Sequence, residues 1–111
     1  MIEKPYKSIK SEVLSKLENE LPVLMEKYGV LTIGLFGSVS RQEDTPKSDI
    51  DIMITIRPEM DNFDRFLEIA EFLEDLFGRK VDLISAEYMK PQIRPYVQKD
   101  VIMYSAEKGA V

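Results

Sequence analysis

The sequence predicts an α+β protein, a small mixed β-sheet with helices packed on it. Three observations lead there. Residues 30–36 and 49–56 are short, β-branched apolar runs of strand length, and residues 80–85 form a third. Two further segments, around residues 9–21 and 63–77, repeat their apolar side chains at helical spacing. The strand–helix–strand unit over residues 50–84 is expected to close as a right-handed crossover, which makes its two strands parallel.

In chain order, Ile9, Val13, Leu14, Leu17 and Leu21 mark the first helix. Pro22 is expected to interrupt it or to open a second short helix, because proline suits a first turn and disrupts an interior. That second piece holds Val23, Leu24 and Tyr28 and ends on Gly29 as a left-handed cap. Residues 37–47 are polar, with Gly, Ser, Asp and Pro, and read as a loop containing one helical turn. Arg57-Pro58 stops the second strand. Asp61 or Asn62 caps the next helix, whose apolar face is expected to comprise Phe63, Phe66, Leu67, Ala70, Leu73 and Phe77. Gly78 ends it, with Arg79 and Lys80 suited to its C-terminal dipole. A short helix follows Pro91, and residues 101–104 form a fourth, edge strand. No repeat, low-complexity tract or internal linker divides the sequence, so residues 1–111 are expected to form one domain.

Composition removes several chemistries. There is no Cys and no His, which excludes disulfides, thiolate catalysis, an imidazole base and the usual zinc ligands. Any metal must rest on carboxylates, which favours magnesium or manganese. With 20 acidic and 15 basic residues the net charge is −5, against tight non-specific nucleic-acid binding. The first residues lack the apolar core of a signal peptide, and the apolar runs are far below membrane-spanning length. A soluble cytoplasmic protein, without membrane or direct nucleic-acid partners, is expected.

The chemistry concentrates in Gly37-Ser38, Arg41 and Ser48-Asp49-Ile50-Asp51. Strand side chains alternate, so Asp49 and Asp51 share one face, their Cα atoms about 6.6 Å apart. Like charges that close need a compensating cation, because each raises the other's pKa. Taken alone, Asp49 in a turn and Asp51 on a solvated face would explain the pair equally well. Asp82 stands in the apolar run Val81-Asp82-Leu83-Ile84, where an acid is costly unless paired or metal-bound. On an adjacent strand it reaches the same face. Gly37-Ser38 follows a strand directly; glycine lets a phosphate approach main-chain N–H groups, and the hydroxyl adds a donor. An ordinary turn is the plain alternative. Arg41 can either contact phosphate or brace the acidic loop.

Together these residues resemble the signature of the polymerase-β-like nucleotidyltransferases, and over nearly the whole chain the sequence is similar to the minimal nucleotidyltransferase (MNT) antitoxins of HEPN toxins. Gln42 departs from the pattern, since relatives commonly have Gly after the Arg. The resemblance implies the nucleotidyltransferase fold, a catalytic and metal-binding set of Asp49, Asp51 and Asp82 holding two Mg2+ (or Mn2+), and a nucleotide site of Gly37, Ser38, Arg41 and Ser48. It implies ATP as substrate, AMP transfer to a hydroxyl, most plausibly of tyrosine, on a HEPN toxin, and a hetero-oligomer with that toxin. Larger relatives have acceptor-binding domains for which this chain leaves no room, which turns the expectation from a small antibiotic to a protein acceptor. A non-catalytic antitoxin that senses nucleotide and neutralises its toxin by binding is the alternative.

Overall fold

The computed structural model describes residues 5–105 and 109–110. Helix α1 spans Lys10–Glu26, strand β1 Val30–Phe36, the single turn α2 Gly37–Ser40 and strand β2 Ile50–Ile56. Helix α3 (Phe63–Phe77), strand β3 (Val81–Ser85), helix α4 (Arg94–Asp100) and strands β4 (Ile102–Ser105) and β5 (Gly109–Ala110) complete the order. The sheet runs β3-β2-β1-β4-β5. Strand β2 is parallel to β3, and every other neighbouring pair is antiparallel. The α+β mixed sheet and the parallel crossover pair are as the sequence predicts. Among the described residues, no helix is long and apolar enough to cross a membrane.

The core lies on one face of this sheet. Ile50, Ile52 and Ile54 of β2 are fully buried, and in register with them stand Leu35 and Ile33 of β1. Val13, Leu17, Leu21 and Leu24 of α1 and Ile69 and Leu73 of α3 cover them.

Four expectations need correction. Pro22 neither breaks α1 nor opens a new helix; it sits inside one continuous helix. An interior proline costs about 3 kcal/mol, whereas burying Leu21 and Leu24 returns about 1.5–3 kcal/mol each, so the continuous apolar stripe prevails. The buried stripe of α3 is rotated: Ile69 and Leu73 are its buried residues, while Phe63 is 73% exposed and Leu67 is also exposed. Strand β2 starts at Ile50, leaving Asp49 just ahead of it. Strand β4 is not the edge, because β5 pairs outside it. The caps of α3 are as expected: Asn62 Oδ1 accepts from the Arg65 N–H at 2.8 Å, and Gly78 closes the helix at φ 64°.

Candidate active site

The opposite face of the sheet holds the acids. Alternation along β2 that buries Ile50 and Ile52 puts Asp51 on this open face. Asp51 is in register with Phe36 of β1 on one side and with Asp82 of β3 on the other. Adjacent strands lie about 4.8 Å apart, so the two carboxylates are direct cross-strand neighbours, an unfavourable arrangement for like charges.

Asp51 registers that conflict. Its carboxyl is pushed up to about 6, first by burial, then by the negative charges of Asp82 and Asp49, with Arg41 pulling the other way. Asp49, though outside the strand, is therefore close enough to act on it. Asp82 is exposed, not embedded in apolar surroundings as its neighbours in sequence suggest. Its strand turns that residue toward the open face, so no desolvation penalty has to be met.

Gly37 makes the arrangement sterically possible. It has φ 75°, a region costly for any side chain, and a Cβ there would collide with the Asp51 carboxylate. Glycine at this position thus clears space for an acid as well as opening the turn. Ser38 follows, part-buried at the start of α2.

The loop after α2 is closed by a Schellman motif. The Glu43 N–H donates to the Ser38 carbonyl at 2.8 Å and the Gln42 N–H to the Val39 carbonyl at 3.1 Å. The position that this motif puts in the left-handed region is Gln42, at φ 60°. The loop therefore keeps the path a glycine would allow, and Gln42 bears the strain.

Arg41 braces rather than standing open. Its Nε donates to Glu43 Oε1 at 2.6 Å and its Nη1 to Asp100 Oδ2 at 2.8 Å, tying the loop to α4. The Ser48 hydroxyl accepts from the Thr45 N–H at 2.8 Å and so closes the turn before Asp49.

Two hollows meet at Phe36 and Ile93. One, of about 700 Å³, is lined by Phe63, Phe66, Tyr88 and Met89 and reaches the acids through Asp82. The other, of about 410 Å³, contains Gly37, Arg41, Tyr96 and Lys99. Asp49, Asp51 and Ser38 line neither. Phe63, Tyr88 and Tyr96 were not expected here; an exposed aromatic in a polar segment, as at Tyr88, was the only signal available.

Among the described residues, no three acidic side chains form a finished metal cage. The donor chemistry nevertheless fits a hard divalent cation. The acids offer only oxygen, and the raised Asp51 pKa, due first to burial and then to the charges of Asp82 and Asp49, marks a carboxylate that a cation would stabilise.

A mixed sheet with carboxylates on adjacent strands beside a glycine–serine turn defines a nucleotidyltransferase architecture, and the family model "Polymerase beta, Nucleotidyltransferase" matches residues 18–108. The chain belongs to this family and is an enzyme of the nucleotidyltransferase class. Its relatives there are small. A Methanocaldococcus jannaschii protein assigned as a protein adenylyltransferase is 40% identical, across 83% of this chain and 94% of its own. The protein adenylyltransferase MntA of Thermococcus cleftensis is 36% identical, across 82% and 91%. A crystal structure of a toxin–antitoxin with AMP-PNP superposes with a TM-score of 0.65 at 25% identity, covering 81% of this chain and 74% of that one.

Proposed function

We propose that this protein transfers AMP from ATP to a hydroxyl, that of a tyrosine, on a partner HEPN toxin and acts as its antitoxin in a hetero-oligomer. The observation behind this reading is the cross-strand pair Asp51–Asp82, with Asp49 close by and Gly37 clearing room for the Asp51 carboxylate. Likeness to the adenylyltransferases and to the AMP-PNP-bound toxin–antitoxin supports the nucleotide and the kind of partner.

Asp49, Asp51 and Asp82 would hold Mg2+ or Mn2+. Such ions screen the triphosphate and stabilise charge on the attacking and leaving oxygens. Gly37 and Ser38 present main-chain N–H groups and a hydroxyl to the β and γ phosphates. Arg41 and Ser48 shape the loop behind them. Asp82, at the mouth of the aromatic hollow, receives the proton of the acceptor hydroxyl as that oxygen attacks the α phosphorus and pyrophosphate departs. Phe63 and Tyr88 flank the approach.

A second reading, neutralisation by binding alone, draws support from the exposed Phe63, Tyr88 and Tyr96 and from acids that do not yet converge. Toxin activity measured against the molar ratio of the two proteins separates the readings. Catalysis requires ATP and Mg2+, protects a molar excess of toxin and adds the mass of AMP to it, and Asp49→Ala abolishes all three effects. Full protection by Asp49→Ala at equimolar ratio, with no mass change on the toxin, would sink the catalytic reading.

A further inference from the structure

Arg79 stands between the αL cap Gly78 and strand β3, where an exposed basic residue would ordinarily serve the helix dipole. Its guanidinium turns elsewhere. Nη1 donates to the carbonyl of Thr45 at 3.2 Å and to the carbonyl of Ser48 at 3.3 Å. Among the described residues it enters no ion pair with a carboxylate. A cation whose donors go to main-chain carbonyls fixes a backbone path, because both acceptors belong to one turn.

That turn leads straight into Asp49. It is closed by the Ser48 N–H on the Thr45 carbonyl at 3.0 Å and by the Thr45 N–H on the Ser48 hydroxyl. On the other side of Asp49, the Ile50 N–H donates to the Lys80 carbonyl at 3.0 Å. The peptide before Asp49 is therefore held by the Arg79 side chain and the peptide after it by the Lys80 main chain. Asp49 itself is exposed and outside the ladder of β2. The same dipeptide, Arg79-Lys80, feeds β3 and so sets the position of Asp82.

A second anchor, which meets the first where Arg79 Nη1 donates to the Tyr6 hydroxyl at 3.4 Å, secures the far end of the loop. The Asp44 carboxylate is buried and accepts from the Tyr6 hydroxyl at 2.7 Å and from the Ile9 N–H at 3.1 Å. Tyr6 and Asp44 fasten the loop to the start of α1, and among the described residues Arg79 is the side chain that ties the Thr45–Ser48 turn to the residues entering β3.

We infer that Arg79 is a positioning residue which fixes Asp49 relative to Asp82, through the carbonyls of Thr45 and Ser48, and so preorganises the divalent-cation site. This rests on the reading that those acids share metal ions. Both bonds leave from the single nitrogen Nη1, and arginine suits the task because the guanidinium plane fixes the directions of its N–H groups, which the freely rotating ammonium of lysine does not.

The test is direct Mn2+ binding to the purified protein, read from the electron paramagnetic resonance of free Mn2+, for wild type, Arg79→Ala, Arg79→Lys and Tyr6→Phe. Arg79→Ala is expected to raise the Mn2+ half-saturation about tenfold, the scale on which residues supporting metal ligands act, with Arg79→Lys in between. Tyr6→Phe, which cuts the Asp44 anchor and the long Arg79 bond to the hydroxyl but spares both carbonyl bonds, should lower the melting temperature and raise the Mn2+ half-saturation clearly less than Arg79→Ala does. Faster amide exchange at Asp49 and Ile50 in the Arg79 variants would accompany the loss. Equal Mn2+ half-saturation in wild type and both Arg79 variants overturns the inference, whatever their stability. Weaker Mn2+ binding by Arg79→Ala, with no AMP transfer by any form, supports the positioning role and overturns the proposed function.

Discussion

Two faces of one strand contrast most sharply in this molecule. Toward the helices, β2 presents Ile50, Ile52 and Ile54, all fully buried against α1 and α3. Toward the open side the same seven residues present Asp51, Met53 and Thr55, none fully buried. The first set holds the fold together, and the second holds charges that oppose one another. A strand permits both because its side-chain period is two, so stability on one face tolerates an unfavourable arrangement on the other. Strand β3 repeats the division, with Val81 inward and Asp82 outward.

The contrast makes its strongest claim about stability. Ile52→Ala should destabilise the protein by about 2–5 kcal/mol, as core truncations do, seen as a lower denaturant midpoint. Met53→Ala, one residue along and facing outward, should cost clearly less. Equal losses would mean that the open face contributes to folding as the core does.

Asp51→Asn breaks the contrast from the other side. AMP transfer should fall by at least about 100-fold, the scale of one removed electrostatic stabiliser, while the protein becomes more stable near neutral pH. The sign follows from the raised carboxyl. Well below pH 4, near pH 3 and under, the group is protonated in both folded and unfolded chains. As pH rises toward about 6 the unfolded chain ionises first, so stability is lost across that window in wild type. The gain from Asp51→Asn should therefore grow between about pH 4 and 6, be complete above pH 6 and vanish near pH 3, at about 1–2 kcal/mol once solvent screening is allowed for. Thermal melts of both proteins between about pH 3 and 8 measure it. A pH-independent difference would assign the effect to packing.

Ser38→Ala should weaken nucleotide affinity by about 1–2 kcal/mol, one hydrogen bond to a charged group, and leave Mn2+ binding largely intact. Calorimetric titration with a non-hydrolysable ATP analogue reads it, and an unchanged affinity would return Gly37-Ser38 to an ordinary turn. The smallest effect is expected at the loop. Gln42→Gly should stabilise by about 0.5–1 kcal/mol, since it relieves a left-handed residue that has a side chain, and its denaturant midpoint should rise with no change in slope. Destabilisation would show that the Gln42 side chain compensates for its backbone.

Much of this was legible beforehand because it is local. The alternation that separates Asp51 from Ile50, the left-handed glycines Gly29 beyond α1 and Gly78 at the end of α3, and the parallel pair implied by strand–helix–strand each follow from backbone geometry over a few residues. The candidate acids and the Gly37-Ser38 turn were found the same way, and the structure puts Asp51 and Asp82 in register.

What needed the tertiary structure is where several local solutions are nearly equal or where the partner lies far along the chain. Phe63 and Leu67 fit an apolar helical face as well as Ile69 and Phe72 do; the sheet beneath α3 selects the second set. Pro22 stays helical because a continuous stripe against the sheet outweighs its local cost. Gln42 keeps a glycine's conformation because the Schellman bonds close around it. Arg79 reaches carbonyls more than thirty residues earlier in the chain, a contact with no local period to announce it. Sequence determined which groups alternate and which turns are possible. Packing decided which face is buried, and side-chain bonds to distant main chain decided where Asp49 stands, because both depend on neighbours that only the closed fold brings together.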